Sequence, residues 1–256
     1  MRTLFFGDVV GRPGRTVLLK HLPKLQQEFA ADFTIVNAEN AAGGSGLTVD
    51  IAKELLASGV DVITLGDHAF RQRDYREMLS LNRIIRPANV TAPEIGTGFL
   101  ETKWRNFDVA VLNLQGQTFM QPIDNPFRTA DEILAKTKAK IIFVDFHAEA
   151  TSEKIALGHH LNGRVSALFG THTHVQTSDA KILHHGTAYI TDVGMCGPDE
   201  SVIGREIEPV VTHFLTGLPQ RFSVADGPCQ IGGVLVEVDE QTGRAQKIQS
   251  IFKILE

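Results

Sequence analysis

Five short strings in this 256-residue chain carry side chains able to hold a cation or move a proton. They are Asp8, then Asn37-Ala38-Glu39-Asn40, Gly66-Asp67-His68, Asp145-Phe146-His147-Ala148-Glu149, and Gly170-Thr171-His172-Thr173-His174. Asp8, Glu39 and Asp67 offer hard carboxylate oxygens, and Asn40 offers an amide oxygen. His147, His172 and His174 offer imidazole nitrogens. Such a mixed set suits manganese, iron or zinc, whereas calcium takes oxygen alone. Seven donors exceed what one tetrahedral ion needs and suit two ions that share a carboxylate. Two metals about 3.5–4 Å apart are a recurring device for displacement at phosphorus. Taken singly, each string has an ordinary explanation. An Asp after a strand serves in turns, Glu39-Asn40 is a turn signal, and a lone His147 fits a satisfied core histidine. His172 and His174 say more, because alternate residues of an extended segment point to one side. The weight lies in the conjunction of all five strings at strand ends.

Strands must place them there. Thr3-Leu4-Phe5-Phe6, Phe33-Thr34-Ile35-Val36 and Val60–Leu65 read as buried strands. Between them, Leu18, Leu22, Leu25 and Phe29 recur at helical spacing after Pro13, and Thr48 is placed to cap a helix running to Gly59. This βαβαβ order implies a parallel sheet covered by helices. Ligands bind outside the carboxyl ends of such strands, which is where the strings fall. Residues 82–122 hold Pro87, Pro93, Gly96 and Gly98, with strands expected near 99–104 and 109–114. They read as antiparallel hairpins or a small cap inserted into a single domain spanning 1–256. Helices near 129–138, 152–161 and 205–215 and strands at 141–144 and 165–169 follow, and a hairpin over 231–252 closes the chain. Loops 41–46, 87–98 and 191–197 are the expected determinants of substrate choice.

Composition narrows the class. Hydrophobic residues at 43% and charged residues at 21% exclude disordered, collagen-like and coiled-coil chains. A net charge of −5 argues against a surface that coats a nucleic-acid polymer. No apolar run approaches the ~20 residues of a membrane span, and the start lacks the features of a signal peptide. Cys196 and Cys229 form no CxxC, so the chain is expected to be cytoplasmic with two thiols. Gly7, Gly11 and Gly14 do not have dinucleotide-binding spacing, and neither a Walker A sequence nor a nucleophile elbow is present. Cys196 has no basic neighbour to activate it and reads as a buried thiol. His159, His160, His184 and His185 read as surface residues, and His21 and His213 as packing or surface residues.

The order of these strings resembles that of the calcineurin-like metallophosphoesterases. Phe6–Gly14, Asn37–Gly44 and Gly170–Gln176 are more specifically similar to the bacterial YmdB-type phosphodiesterases, and the likeness spans nearly the whole chain. The resemblance implies an α/β fold, a four-layer α/β/β/α sandwich, with two metal ions, most often iron or manganese. It implies hydrolysis of small phosphodiesters, characteristically 2′,3′-cyclic nucleotides, by a hydroxide bridging the metals. It places Asp8, Glu39, Asn40 and His174 around one ion and Glu39, Asp67, His147 and His172 around the other, with His68 as the general acid. Two departures stand out. The wider superfamily opens with Asp-x-His, whereas Asp8-Val9-Val10 lacks that histidine; the YmdB-like subgroup shares this loss, with Asn40 in compensation. The usual Gly-Asn-His is here Gly66-Asp67-His68, whose extra carboxylate should tighten metal binding and weaken attraction for an anionic substrate. A nucleotide-binding regulator with little turnover, a mononuclear hydrolase of amides or esters, and a phosphomonoesterase are the competing readings. No membrane partner is expected, and self-association stays open.

Overall fold

A computed structural model describes residues 1–92 and 94–255. Pro93, one of the residues that marked the middle segment, lies outside the described residues. The chain builds two sheets in register with the apolar alternation of its strands. The first has eight strands: β1 (Arg2–Phe6), β2 (Asp8–Val9), β3 (Phe33–Asn37), β4 (Val62–Thr64), β5 (Ile84–Ile85), β12 (Met195–Pro198), β13 (Cys229–Val238) and β14 (Ala245–Leu255). The second has six: β6 (Phe99–Trp104), β7 (Phe107–Gln115), β8 (Ile141–His147), β9 (Ala167–Thr171), β10 (Lys181–Ile182) and β11 (Ala188–Ile190). Strands β1, β3, β4 and β5 run parallel, as do β7, β8 and β9. The hairpin β6–β7 is the edge of the second sheet, joined to it through β8.

Period-2 patterning sorts side chains into three interfaces, and these define four layers. Leu4 and Phe6 face α1 (Gly11–Glu28) and α2 (Val49–Ala57), packing on Leu18, Leu22 and Leu55. Phe5, between them in sequence, faces the other way into the space between the sheets, with Val111, Phe143 and Phe169. Leu112, Leu114 and Phe146 face outward to α4 (Pro126–Leu134) and α5 (Thr151–His160). The result is the α/β/β/α sandwich. Phe5 stacks on Phe169 at 4.4 Å between ring centroids, so the two sheets meet just below the strand ends that matter. Such a pair contributes about 0.5–1.5 kcal/mol beyond its buried area.

Local signals explain most boundaries. Thr48 caps α2 by accepting from the Ile51 amide. α4 begins at Pro126, earlier than the apolar spacing suggests, because Asn125 caps it and accepts from the Phe127 and Arg128 amides. α6 (Ile207–Thr216) starts two residues later than expected, leaving Arg205 in the preceding turn. Residues 191–197 do not form a free loop. Met195–Pro198 is buried strand β12, paired with both β2 and β13. The four-residue α3 (Tyr75–Met78) is too short to leave a periodic signal. Among the described residues, no helix is long and apolar enough to cross a membrane.

Candidate metal centre

The strand ends converge as the sequence requires. Asp8 opens β2 directly after β1, Glu39 and Asn40 follow β3, and Asp67 and His68 follow β4. His147 is the last residue of β8 rather than a residue beyond it, and His172 and His174 follow β9. All seven expected donors and His68 therefore gather where the carboxyl ends of the two sheets meet.

Glu39, Asp67, His147 and His172 each present a ligand atom, and these four atoms lie within 4.8 Å of one another. His147 Nε2 is 3.2 Å from Glu39 Oε2, 3.2 Å from Asp67 Oδ1 and 3.0 Å from His172 Nδ1. Its other nitrogen, Nδ1, sits 2.9 Å from Thr171 Oγ1, which donates onward to Asp145. That chain turns Nε2 inward. His172 is turned by Glu149, whose Oε2 is 3.2 Å from Nε2, leaving Nδ1 for the centre. A carboxylate behind a ligating imidazole is the usual way such a ring is oriented.

A second donor set lies beside the first. His174 donates from Nδ1 to the Ile203 carbonyl, so Nε2 faces Asp8 Oδ1 at 3.7 Å and the Asn40 amide at 3.1 Å. Asn40 also contacts Glu39 Oε1 at 3.0 Å, which makes Glu39 common to both sets. Asp8 is fully buried, and its Oδ1 has no hydrogen-bond partner. A buried carboxylate oxygen without a donor is expensive, and a cation is what it lacks. The residues thus fit a divalent metal. Asn40 directs its nitrogen at His174 and its oxygen at His68, so its amide must turn over to serve as an oxygen ligand.

Charges in the cluster are arranged around the same need. His147 is buried, which opposes protonation, yet Glu39, Asp67 and Asp8 raise its pKa well above the ordinary imidazole value. His68 shifts upward for the same reason: burial is outweighed by its hydrogen bond to Glu39 and the charges of Glu39 and Asp67. Glu39 is held well below the usual carboxylate range because His147 and His68 overcome its burial. Burial and the neighbouring His147 push His172 down to about 4, so it stays an unprotonated donor. Burial raises Asp8.

Protons therefore do in the metal-free protein what a cation would do. A histidine whose folded pKa is raised stabilises the fold fully below its unfolded value and loses that contribution as pH rises through the folded one. The expected result is that chelator-treated protein melts at lower temperature as pH climbs above about 6.5. Metal-loaded protein gains over the same range, because the ion displaces protons and binds more tightly. Differential scanning fluorimetry with and without chelator measures both slopes. Parallel slopes would break the link between these histidines and the metal.

Several contributors were not among the expected ligands. Asp145 is buried beneath the ligands and accepts from Asn37 and Thr64 of the first sheet and Thr171 of the second. Burial pushes its pKa up to about 6. Asp192 accepts from both the amide and hydroxyl of Thr173, between His172 and His174, and pairs with Lys154 at 2.7 Å. Arg205 lines the cleft above the donors with Glu39, Asn40, His68, Glu149 and Thr173, enclosing about 270 Å³. Cys196 is a buried thiol whose pKa burial raises, in keeping with an inert residue. His159, His184 and His185 are exposed and do not line the cleft, and His160 pairs with Asp131.

The chain is similar to known proteins over nearly its whole length. A family model described as YmdB-like protein matches residues 4–251. The chain is 48% identical over 255 residues to a Bacillus subtilis (strain 168) protein named 2′,3′-cyclic-nucleotide 2′-phosphodiesterase, covering 98% of this chain and 97% of the relative. It superposes on a hypothetical protein from Thermus thermophilus with a TM-score of 0.95, at 40% identity over 100% of both chains. A structure called a novel phosphatase, from Mycoplasma pneumoniae, gives 0.96 at 36% identity, covering 100% of this chain and 94% of the other. By the reach of the family match and the identity to full-length relatives, this chain belongs to the YmdB-like family.

Proposed function

We propose that this protein is a metal-dependent phosphodiesterase that opens 2′,3′-cyclic nucleotides, holding two ions, iron or manganese, between Asp8, Glu39, Asn40, Asp67, His147, His172 and His174. The observation that carries this reading is the meeting of two donor sets on Glu39, one of them ending in the unpartnered Asp8 oxygen. The name of the Bacillus subtilis relative supports the substrate. When bound, such ions supply Lewis acidity at the phosphoryl oxygens and lower the pKa of water.

The chain's own residues do the rest. Cleavage of the bond from phosphorus to the 2′ oxygen leaves an alkoxide that needs a proton. His68 is the residue to give it. Its Nδ1 lies 3.3 Å from Glu39 Oε1, which orients the ring and leaves Nε2 as the proton-bearing atom on the cleft side; its 2.9 Å contact with Asn40 Oδ1 is given up when that oxygen turns to a metal. Without metal, burial of the ring is outweighed by Glu39 and Asp67, which raise its pKa. Asp67 Oδ2, 3.7 Å from Nε2, favours the same state. General acids of this kind contribute about 10²–10⁴-fold. Cys196 and Cys229 are both free and buried, which fits a reducing cytoplasm.

His68→Ala separates the roles. Turnover of a 2′,3′-cyclic nucleotide, whose leaving group is a poor one, is expected to fall about 10²–10⁴-fold. An aryl diester with a good leaving group should lose far less, with metal content unchanged. Equal losses on both substrates, or none, would remove His68 as the acid. Failure of the unaltered, metal-loaded protein to hydrolyse either diester would overturn the function itself.

A further inference from the structure

We propose that Arg205 is a substrate-binding residue, a guanidinium seated in the cleft wall to grip the phosphate of the ligand. This rests on the phosphodiesterase reading for the substrate's identity, but its evidence is separate. Arg205 lines the cleft that holds Glu39, His68, Glu149, His172 and His174. Its Nη2 donates to the Gly44 carbonyl and its Nη1 to the Gly43 carbonyl at 3.4 Å. A guanidinium carries five N–H donors, so most remain free for a ligand after those two bonds. Among the described residues no carboxylate pairs with it, and burial is the sole cause of its lowered pKa. Glu149, the exposed carboxylate of the same cleft, is directed at His172 instead. A half-buried cation without a counter-ion, in a protein of net charge −5, is an anion site in search of its anion.

Its position is fixed from two sides. The Gly43–Gly44 turn belongs to the loop that leaves Glu39 and Asn40, and the Gly46 amide returns to the Glu39 carbonyl at 2.5 Å. Two residues before Arg205, the Ile203 carbonyl holds His174 at 2.9 Å. The guanidinium is thereby tied by short stretches of backbone to ligands of both donor sets. Gly44, at φ +84°, has no room for a Cβ: that atom would lie 2.4 Å from Nη1 and 2.7 Å from Cζ. Gly44 therefore lets the guanidinium lie against the backbone at this turn. A fork of N–H donors suits the oxygens of a phosphate better than the point charge of a lysine does.

The test uses the manganese-loaded full chain and its Arg205→Ala and Arg205→Lys variants. Inorganic phosphate binding is read by calorimetry, hydrolysis of bis(p-nitrophenyl) phosphate by kcat and KM, and metal content by mass spectrometry. The expected result is phosphate affinity lowered at least about tenfold in Arg205→Ala, a smaller loss in Arg205→Lys, and wild-type metal content in both. Guanidinium ion added to Arg205→Ala, but not to the unaltered chain, should restore part of kcat/KM. Wild-type phosphate affinity in both variants, or a loss only in proportion to lost metal, would overturn the proposal and leave Arg205 a clamp for the 41–46 loop. If the unaltered chain binds phosphate through Arg205 yet hydrolyses no diester, the function fails and this inference stands.

Discussion

Glu39→Gln is expected to remove turnover and metal together. The change keeps the volume of the side chain and deletes one charge, yet Glu39 stands where both donor sets meet. Its Oε1 receives the Asn40 amide at 3.0 Å, and its Oε2 receives the His68 backbone N–H at 3.2 Å. Both contacts are donors, so a glutamine can satisfy one with its oxygen and must face the other with its own NH₂. The metal loses its shared carboxylate, and the metal-free site loses the charge that raises the pKa of His147 and His68. A hydrogen-bonded partner behind a ligand is worth about 10–100-fold in affinity, and the ligand itself is worth more. Turnover should fall at least about a thousandfold, equivalent to about 4 kcal/mol of transition-state stabilisation. Metal analysis after dialysis, run beside the kinetic assay, checks both halves. Full metal content with full activity would show that Glu39 is not the shared ligand.

The ligands were legible in the sequence because each follows an apolar run that buried strands require. Thr3–Phe6, Phe33–Val36 and Ile141–Val144 announce themselves by apolar and β-branched content, and the residues that break each run are the ones that do chemistry. The βαβαβ order implied a sheet covered by helices, whereas the four layers were implied by the family resemblance, and the opposite facing of Phe5 and its neighbours Leu4 and Phe6 emerged only in the fold. Strand β12 was not legible. Met195-Cys196-Gly197-Pro198 reads as a loop because Gly and Pro are poor strand formers, and its pairing with β2 and β13 comes from residues far away in sequence. Arg205 was hidden for a related reason. Apolar spacing in 207–216 extended a helix over it, and nothing local shows that the chain turns at Val202–Arg205 to bring a cation over the Gly43–Gly44 turn. Asp145 lies in the His147 string without being singled out as a ligand, Asp192 follows Thr191, and Lys154 follows Thr151-Ser152-Glu153 at the start of α5, so none stands out locally. Only the fold shows that they support the ligands.

Lys154→Met tests how far that support matters. Lys154 Nζ and Asp192 Oδ2 are 2.7 Å apart, with both side chains about as buried as the core. Asp192 uses the same Oδ2 for the amide and hydroxyl of Thr173, and its Oδ1 for the Gly194 amide. Thr173 is flanked by His172 at φ +100° and His174 at φ +66°, a left-handed backbone that disfavours side chains. Each such residue stores about 1–3 kcal/mol, so the turn persists only because its surroundings hold it. Removing the lysine leaves a buried carboxylate without its cation, for which about 3–5 kcal/mol is typical. In a chain of this size that lowers the melting temperature by about 6–20 °C. Metal affinity should fall as well, because the two histidines lose the anchor that keeps them on one side. The double variant Lys154→Met/Asp192→Asn distinguishes the two effects. Removing the second charge should recover stability, whereas metal affinity should stay low, because a neutral amide oxygen accepts the two Thr173 bonds more weakly than a carboxylate does. Recovery of both would mean that the buried pair serves the fold alone, and an unchanged melting temperature in Lys154→Met would mean that it serves neither.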